Sequence, residues 1–457
     1  MKTIKIAYIG GGSKLWARSF MQDLALAQGL SGQVCLYDID PQAAQRNCAI
    51  AGRIHAKKEA QSDFVYRVSD TLEECLDGAD FVLISILPGT FREMRSDVHT
   101  PEKYGIYQSV GDTVDPGGVL RAMRTIPLFE GFARAIEAHC PEAWVLNLTN
   151  PMSACVKALY DTFPGIHAFG CCHEVFHAQD FLCCVLREMT GIQATRRELY
   201  TDASGINHFT WITRARWRDV DLLSLLPGFM ERYFADGYYE HGSAQQWQHD
   251  PFAYGNRVKM DLYARYGALA AAGDRHLVEF LDNRWYLADP ETVQKWHFGL
   301  TSVDFREENQ RRQIADSIAM AEGTMPVPLA PSGEELVELL QAICGLKTVV
   351  SNVNLPNVGQ LPGLPMGSIV ETNCVFSNGF VQPVVAGALP EEVLKLVRHN
   401  CDNIDLTCEG IRRRDPEMIF RAFRNQSLCA HLPESDCRAL FREMCHNTRD
   451  YLTDYPL

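Results

Sequence analysis

Three consecutive residues, Cys172, His173 and Glu174, combine a thiol, an imidazole and a carboxylate in the segment AFGCCHEV. A second imidazole, His208, follows farther along the chain in the segment GINH. A thiolate and a neutral imidazole are ligands that a divalent cation accepts, and a site with only two protein ligands keeps coordination positions open for a substrate. We therefore interpret Cys172 and His208 as ligands of a catalytic metal ion. Either residue taken alone would more often be a packed core side chain.

The other cysteines of this region do not fit the pattern of a metal site. We interpret Cys171, Cys183 and Cys184 as small buried hydrophobic residues. The 457-residue chain carries 16 scattered cysteines and is too large to need a disulfide framework, which is typical of a protein from a reducing compartment. The N-terminus, MKTIKIAYIG, shows no targeting signal. The sequence thus predicts a cytoplasmic protein.

A parallel sheet would bring these candidate ligands together. Short apolar runs rich in β-branched and aromatic residues alternate with longer amphipathic stretches through the first third of the chain, which predicts βαβ units and a doubly wound, Rossmann-like α/β fold. In such sheets ligands bind beyond the carboxyl ends of the strands. Asn147–Pro151 and Cys172–Glu174 each follow a predicted strand. The predicted strands cover residues 4–9, 34–39, 81–86, 144–148 and 166–169.

A glycine turn follows the first predicted strand. In Gly10-Gly11-Gly12-Ser13-Lys14-Leu15, Gly10 and Gly12 fit the first two positions of a dinucleotide fingerprint, and Leu15 replaces the third glycine. The backbone there, with Ser13 and Lys14, would face a pyrophosphate at a helix N-terminus. Asp38 ends the second strand, where a carboxylate accepts hydrogen bonds from a ribose and repels a 2′-phosphate. These features predict NAD binding; the alternative is a doubly wound domain that binds another ligand.

Charge and organisation narrow the possible functions. The formal net charge is -14 and no basic run is present, so neither nucleic acid nor a membrane surface is an expected partner. The strand and helix alternation ends near residue 190, which predicts a NAD-binding domain over 1–190 and an α+β domain over 191–457 that carries substrate, metal and oligomer contacts. In the second region a capping-box spacing at 332–335 predicts a helix, strands are expected over 348–353 and 368–376, and helices over 390–451. The cleft between the two regions is the expected site.

Five segments together resemble glycoside hydrolase family 4, and the similarity spans nearly the whole chain. They are the glycine turn, Thr149-Asn150-Pro151, Cys172-His173-Glu174-Val175, Gly205-Ile206-Asn207-His208 and Asn354-Leu355-Pro356-Asn357-Val358-Gly359-Gln360-Leu361. The resemblance implies a fold related to lactate and malate dehydrogenases. It also implies a glycosidase that depends on NAD and on a divalent metal, typically manganese, and that is an exception to two-carboxylate hydrolysis.

The resemblance implies a redox-neutral mechanism. NAD accepts hydride from C3 of the sugar, which acidifies the proton at C2, and a base then drives elimination of the aglycone. Water adds to the product of elimination, and NADH returns the hydride. The metal, held by Cys172 and His208, coordinates the sugar hydroxyls and acts as a Lewis acid.

The same resemblance assigns further roles to residues of this chain. Asn150 and Asn207 would position sugar hydroxyls, although asparagine also commonly caps turns. His173 would protonate the leaving group, a task that suits a pKa near neutrality. Glu174 would share that task or bind substrate. Asp112, in a loop that would border the nicotinamide, is a candidate contact to NAD or sugar.

The base at C2 has several candidates. Family members generally use a tyrosine assisted by an aspartate of the first domain, and the segment DVHTPEKYG points to Asp97 for the aspartate. In the segment MDLYARY the tyrosine candidates are Tyr263 and Tyr266, but the best register places Met260 at the expected position. Asp261 is a third candidate. Packed helix tyrosines are the alternative interpretation of Tyr263 and Tyr266.

The Cys-His-Glu-Val quartet resembles family members that act on α-linked galacturonic acid, which makes α-galacturonidase the expected activity. A uronate carboxylate needs a positive partner, and Arg275 and Arg284 are candidates. The alternatives within the family are α-glucosidase, α-galactosidase and α-glucuronidase. From other classes we keep a NAD-dependent 2-hydroxy-acid dehydrogenase and a non-catalytic NAD sensor. The resemblance also implies a homodimer or homotetramer.

Overall fold

The first part of the chain forms a parallel sheet. The computed structural model describes residues 1–240 and 246–456. Six parallel strands lie in the order β3-β2-β1-β4-β5-β6. This strand order is that of a dinucleotide-binding fold and confirms the predicted doubly wound sheet. The strands are β1 (Lys2–Ile9), β2 (Leu30–Tyr37), β3 (Asp63–Val68), β4 (Phe81–Ile84), β5 (Trp144–Asn147) and β6 (His167–Gly170).

The sheet continues into the second part of the chain with antiparallel strands. Asn354 of β11 pairs with Gly170 of β6, and the order continues β11-β12-β7-β8-β10. The two parts therefore share one sheet and meet at the carboxyl end of β6. The additional strands are β7 (Tyr200–Ile206), β8 (Phe209–Trp217), β9 (Val220–Asp221), β10 (Leu269–Ala270), β11 (Val349–Pro356), β12 (Ile369–Ser377) and β13 (Phe380–Pro383).

Helices cover both faces of the sheet. Side chains of β1 alternate between two apolar cores, with Ala7 and Ile9 in one and Ile6 and Tyr8 in the other. Strands buried on both faces are typical of parallel sheets. The helices are α1 (Trp16–Leu26), α2 (Pro41–His55), α3 (Leu72–Leu76), α4 (Phe91–His99), α5 (Asp115–His139), α6 (Met152–Thr162), α7 (Glu174–Thr190), α8 (Leu226–Tyr233), α9 (Arg257–Tyr266), α10 (Asp274–Leu277), α11 (Asn283–Tyr286), α12 (Pro290–Lys295), α13 (Val303–Glu322), α14 (Leu336–Ile343), α15 (Glu391–Arg412), α16 (Pro416–Arg424) and α17 (Glu434–Asn447).

Two local expectations differ from the structure. The predicted capping box at residues 332–335 does not start α14, because the Ser332 hydroxyl hydrogen-bonds to Asp23 and accepts the Glu334 amide, while the helix begins at Leu336. Strand β3 was not predicted, because its apolar run Phe64-Val65-Tyr66 is shorter than the run that normally indicates a strand. Within the described residues, every helix is too short or too polar to cross a membrane.

Candidate active site

A cavity of about 640 Å³ lies where the parallel and antiparallel parts of the sheet meet. Its walls come from the glycine turn, the loop before α5, the loop after β5, the β6–α7 junction, the β7–β8 turn, the segment before α9, and helices α10 and α13. Polar, aromatic and charged side chains dominate the lining. The lining includes Leu15, Trp16, Asp112, Asn150, Cys171, Cys172, His173, Glu174, His177, His208, Phe252, Tyr254, Arg275, His276 and Arg306.

The glycine turn connects β1 to α1 at the edge of this cavity. Gly10 has a φ of +85°, and a Cβ there would lie 2.0 Å from the Ser85 carbonyl oxygen, so only glycine fits. A Cβ on Gly12 would lie 2.8 Å from a carboxylate oxygen of Asp38, which accepts the Gly12 amide at 2.8 Å. Asn47 donates to the carbonyl groups of Gly11 and Ser13 and holds the turn. This close backbone cradle next to an acid fits a dinucleotide.

His208 reaches the cavity from a two-residue turn. Ile206 of β7 pairs with Phe209 of β8, so Asn207 and His208 alone connect the strands. His208 adopts a φ of +62°, a left-handed conformation that histidine seldom takes. Its Nδ1 lies 2.9 Å from the Thr113 hydroxyl, which leaves Nε2 available to a ligand. Backbone strain of this kind is concentrated at functional sites.

Cys172 lies in the short connection between β6 and α7. Its side chain is buried beside Met152, Val156 and Ile369. Burial raises the pKa of the Cys172 thiol well above its usual value, so a thiolate there needs a cation as partner. Because an S⁻ and an imidazole suit a transition metal, the donor chemistry fits a divalent cation.

Each of two asparagines near these ligands has one buried side-chain oxygen without a hydrogen-bond partner. Among the described residues, Asn150 Oδ1 and Asn207 Oδ1 are buried and accept no hydrogen bond. Asn150 lines the cavity, whereas Asn207 lies behind its wall. An orphaned buried oxygen is costly to a fold unless a ligand or water satisfies it. Asn150 Oδ1 is therefore placed for the predicted hydroxyl contact, whereas Asn207 Oδ1 does not face the cavity.

The cavity holds two groups of potential metal ligands. Asp112, His208 and His276 bring their ligand atoms within 4.8 Å of one another, as do His173, Glu174 and His177. Cys172 is in neither group. His276 has its ring centroid 4.1 Å from that of His208. Sequence reasoning missed His276, which had no signal beyond its neighbour Arg275.

His173 directly precedes α7 and is held from two sides. Its ring stacks on Trp16 with centroids 5.4 Å apart, and its Nδ1 lies 3.0 Å from a carboxylate oxygen of Glu334. Burial lowers the pKa of His173, but the hydrogen bond to Glu334 and the charge of Glu174 outweigh burial and leave the pKa raised. A histidine that retains its proton suits a general acid.

Glu174 lies beside His173 and holds the neighbouring wall of the cavity. One carboxylate oxygen accepts the Gly273 amide at 2.7 Å, and the other lies 3.6 Å from Nε2 of His276. Gly273 directly precedes the segment of Arg275 and His276. The structure thus links Glu174 to the placement of these two side chains.

The predicted base candidates all lie outside the cavity wall. Asp97 is buried in an ion pair with Arg124 of α5. Tyr263 donates to the Leu223 carbonyl at 2.8 Å, and Tyr266 packs edge-on against Trp211. Both tyrosines thus pack on helix α9 against neighbouring groups of the protein.

The third base candidate and the second predicted arginine are also remote. Asp261 accepts hydrogen bonds from Arg265 and from the Tyr286 hydroxyl. Arg284 is exposed and pairs with Asp282. Neither Asp261 nor Arg284 lines the cavity.

Three other residues with a hydroxyl or a guanidinium group line the cavity. Tyr254, Arg275 and Arg306 line the cavity, and only Arg275 had been singled out from the sequence. Tyr254 ends the aromatic, histidine-rich region that the sequence shows over 229–254, of which residues 241–245 lie outside the described part. Arg306 belongs to the highly charged helix α13, where nothing in the sequence distinguishes it from its neighbours.

Comparison with known proteins gives a consistent result. The model of the family 4 glycosyl hydrolases matches residues 5–188, and that of the family's C-terminal domain matches residues 203–429. An Alpha-galacturonidase of Thermoanaerobacterium saccharolyticum is 48% identical over 99% of this chain and 97% of its own length. An Alpha-galacturonidase of Bacillus subtilis is 44% identical over 96% of each chain.

Solved structures agree with the fold. A putative glucosidase of Bacillus subtilis superimposes with a TM-score of 0.92 at 42% identity, covering 97% of this chain and 100% of its own. A 6-phospho-alpha-glucosidase from gut microorganisms, solved with NAD and Mn2+, has a TM-score of 0.79 at 19% identity, covering 98% of this chain and 99% of its own. A lactate dehydrogenase from a deep-sea metagenome library, with a TM-score of 0.52 at 13% identity, covers 90% of this chain and 100% of its own and confirms the predicted relation to that fold. By sequence and architecture, this chain belongs to family 4 of the glycosyl hydrolases.

Proposed function

We propose that the protein is an α-galacturonidase that acts with NAD and a divalent cation, preferably Mn²⁺. One observation supports the proposed specificity for α-galacturonides. Four curated relatives named Alpha-galacturonidase are 44% to 49% identical over nearly the whole chain. Relatives named Alpha-galactosidase and Alpha-glucosidase reach only 25% to 27%. The cavity supports the proposal, since it combines the end of the glycine turn at Leu15, the candidate metal ligands and two partly buried arginines.

Different residues of this region would hold the two cofactors. The turn from Gly10 to Lys14 and the carboxylate of Asp38 would hold the dinucleotide, and Cys172 with His208 would hold the cation. When bound, the nicotinamide supplies hydride uptake and return, and the cation supplies polarisation of sugar oxygens.

The remaining roles fall to side chains of the cavity. His173 would hold the proton for the leaving oxygen, and Asn150 would orient a sugar hydroxyl. For the C2 proton the geometry supports His276, because Asp97, Tyr263, Tyr266 and Asp261 lie outside the cavity. Burial and the neighbouring His208 outweigh Glu174 and hold the pKa of His276 well below its usual value, so its imidazole is neutral and able to accept a proton.

The proposed location and assembly of the enzyme rest on its cysteines and its surface. All 16 cysteines are free thiols. With the NAD requirement, this supports a cytoplasmic enzyme. A homodimer or homotetramer is consistent with the exposed apolar side chains of Val350, Phe380 and Val385 near the edge strand β13. Light scattering coupled to size-exclusion chromatography tests the assembly.

Hydrolysis of four p-nitrophenyl glycosides tests the proposed activity. These are the α-galacturonide, the α-galactoside, the α-glucoside and the α-glucuronide, each with and without NAD⁺ and Mn²⁺ under reducing conditions. We expect cleavage of the galacturonide only, and only with both additions. Cleavage of another sugar alone would contradict the specificity. No cleavage, together with steady NADH formation from a 2-hydroxy acid, would favour a dehydrogenase.

A further inference from the structure

Two partly buried guanidinium groups line the cavity without a carboxylate partner. Arg275 of α10 and Arg306 of α13 are both lining residues. Within the described ranges 1–240 and 246–456, neither makes an ion pair of 4.0 Å or less with an aspartate or glutamate. By contrast, the buried guanidinium of Arg124 makes an ion pair with Asp97. A buried charge without a partner is costly, and such groups are normally paired or bind a ligand.

One residue brings the two groups together. Arg275 Nη1 donates to the Thr301 hydroxyl at 3.0 Å, and Arg306 Nε donates to the Thr301 carbonyl at 3.4 Å. Arg306 Nη2 also donates to the Val110 carbonyl at 2.7 Å, and the Arg275 guanidinium lies 4.2 Å above the Phe252 ring. The two guanidiniums are thus fixed around Thr301. Since each guanidinium has five N–H donors, most of them are left for a ligand.

The electrostatics of this pair also favour an anion. Burial lowers the pKa of Arg275, and burial lowers that of Arg306 to about 10, with the charge of Arg275 adding to the effect. Both side chains remain charged at neutral pH. Asp112 and Glu174 attract them only from a distance, and Glu279 is engaged with the amides of Val110 and Gly111.

We infer that Arg275 and Arg306 form a carboxylate subsite that binds C6 of the galacturonide. The inference rests on the proposed function and names the residues that determine its specificity. Paired guanidiniums match the geometry of a planar carboxylate. A phosphate at C6 is the other anion of suitable size. The carboxylate is favoured because Asp112 and Glu174 would repel a doubly charged phosphate more strongly than a singly charged uronate.

Variants of both arginines test the inference. Arg306→Lys and Arg275→Lys keep a positive charge and remove the planar donor set. Arg311→Lys is the matched control, since Arg311 lies on the same helix, is exposed and pairs with Glu307 and Glu308. Calorimetry with NAD⁺ and Mn²⁺ present measures the affinity for D-galacturonate, D-galactose and galactose 6-phosphate. Thermal unfolding verifies that each variant is folded.

The proposed subsite predicts that the lysine variants lose affinity for the uronate selectively. Each lysine variant should bind D-galacturonate at least about tenfold more weakly than the parent does, and its affinity for D-galactose should be unchanged. The control variant should bind both sugars as the parent does. Cleavage of the galacturonide should lose kcat/KM mainly through KM. Should the folded lysine variants keep parental affinity for galacturonate, the inference is wrong, while cleavage by the parent leaves the proposed function intact.

Other outcomes separate the two proposals. If the parent binds galactose 6-phosphate and not galacturonate, and the lysine variants lose that binding, the pair is a phosphate site and the carboxylate assignment is overturned. If the parent binds galacturonate through this pair but cleaves no galacturonide, the subsite stands and the proposed function fails.

Discussion

The Asp38 carboxylate accepts the Gly12 amide at 2.8 Å, so the acid expected to meet the ribose also fixes the turn expected to meet the pyrophosphate. Replacing Asp38 with Ala should weaken NAD⁺ binding about tenfold or more, because a hydrogen bond to a charged group contributes about 1.5–3 kcal/mol. The preference over NADP⁺ should fall as well, since the repulsion of a 2′-phosphate is lost. Fluorescence titration with both dinucleotides measures these changes.

The exposed Asp70 provides the control for this measurement. Asp70→Ala removes the same charge from the same region and should leave NAD⁺ affinity as it is. If Asp38→Ala binds NAD⁺ as tightly as the parent does, the assignment of Asp38 to the ribose is wrong.

Cys172 and Cys171 are adjacent thiols at the same cavity and should behave differently. Cys172→Ser should weaken Mn²⁺ binding by about tenfold or more, because a hydroxyl is a poorer ligand than a thiolate. Cys171→Ser should retain the affinity, as its side chain packs against the apolar core of β1 and α1. Electron paramagnetic resonance of free Mn²⁺ during titration measures both. The reverse pattern would exchange the roles of the two cysteines.

Binding of the cation should also release a proton. The pKa of the Cys172 thiol is raised by burial, so the thiol is protonated until a metal replaces the proton. Calorimetry in buffers of different ionisation enthalpy should show about one proton released by the parent. The same release from Cys172→Ser would contradict the ligand assignment.

His276 should control proton exchange at C2. With the galacturonide in deuterated water, the parent should place deuterium at C2 of the product, whereas His276→Gln should slow turnover at least about 100-fold, the lower range for a general base. Transient NADH formation should persist in this variant, because the hydride step does not use the imidazole. Undiminished deuterium incorporation at the parental rate would exclude His276 as the base. Tyr254→Phe is the parallel test of the cavity tyrosine.

Glu371 should make stability depend on pH. It accepts hydrogen bonds from Thr210 and Asn352 in the sheet, and burial raises its pKa from 4.5 to about 7. The folded protein therefore holds this proton more tightly than the unfolded chain does, and its contribution to stability is present below pH 4.5 and is lost as the pH rises to about 7.

Glu371→Gln isolates this effect. Relative to the variant, the metal-free parent should lose up to about 3 kcal/mol of unfolding free energy across that interval, at 1.36 kcal/mol for each pKa unit. Urea unfolding at several pH values measures the difference. A parallel pH dependence of parent and variant would show that Glu371 does not titrate in this range.

The sequence predicted the parts of the site that lie next to strands. Gly10 and Asp38 follow β1 and β2 directly, and Asn150 and Cys172 lie within three residues of the ends of β5 and β6, so a correct strand assignment also places them. Arg306 lies on a helix remote in sequence from every motif, and only the packing of α13 against the cavity reveals it. The burial of Asp97 could not be foreseen, because its partner Arg124 lies on another helix.

The shared sheet implies that the two regions of sequence are not autonomous folding units. The core of β1 and α1 also contains Leu340 and Phe376, and the ring of Phe376 lies 5.4 Å from that of Phe169 in β6. A fragment of residues 1–190 would expose this apolar face and leave β6 as an open edge. Such edges promote aggregation. We therefore expect the excised fragment to be insoluble and the full chain to unfold in a single transition.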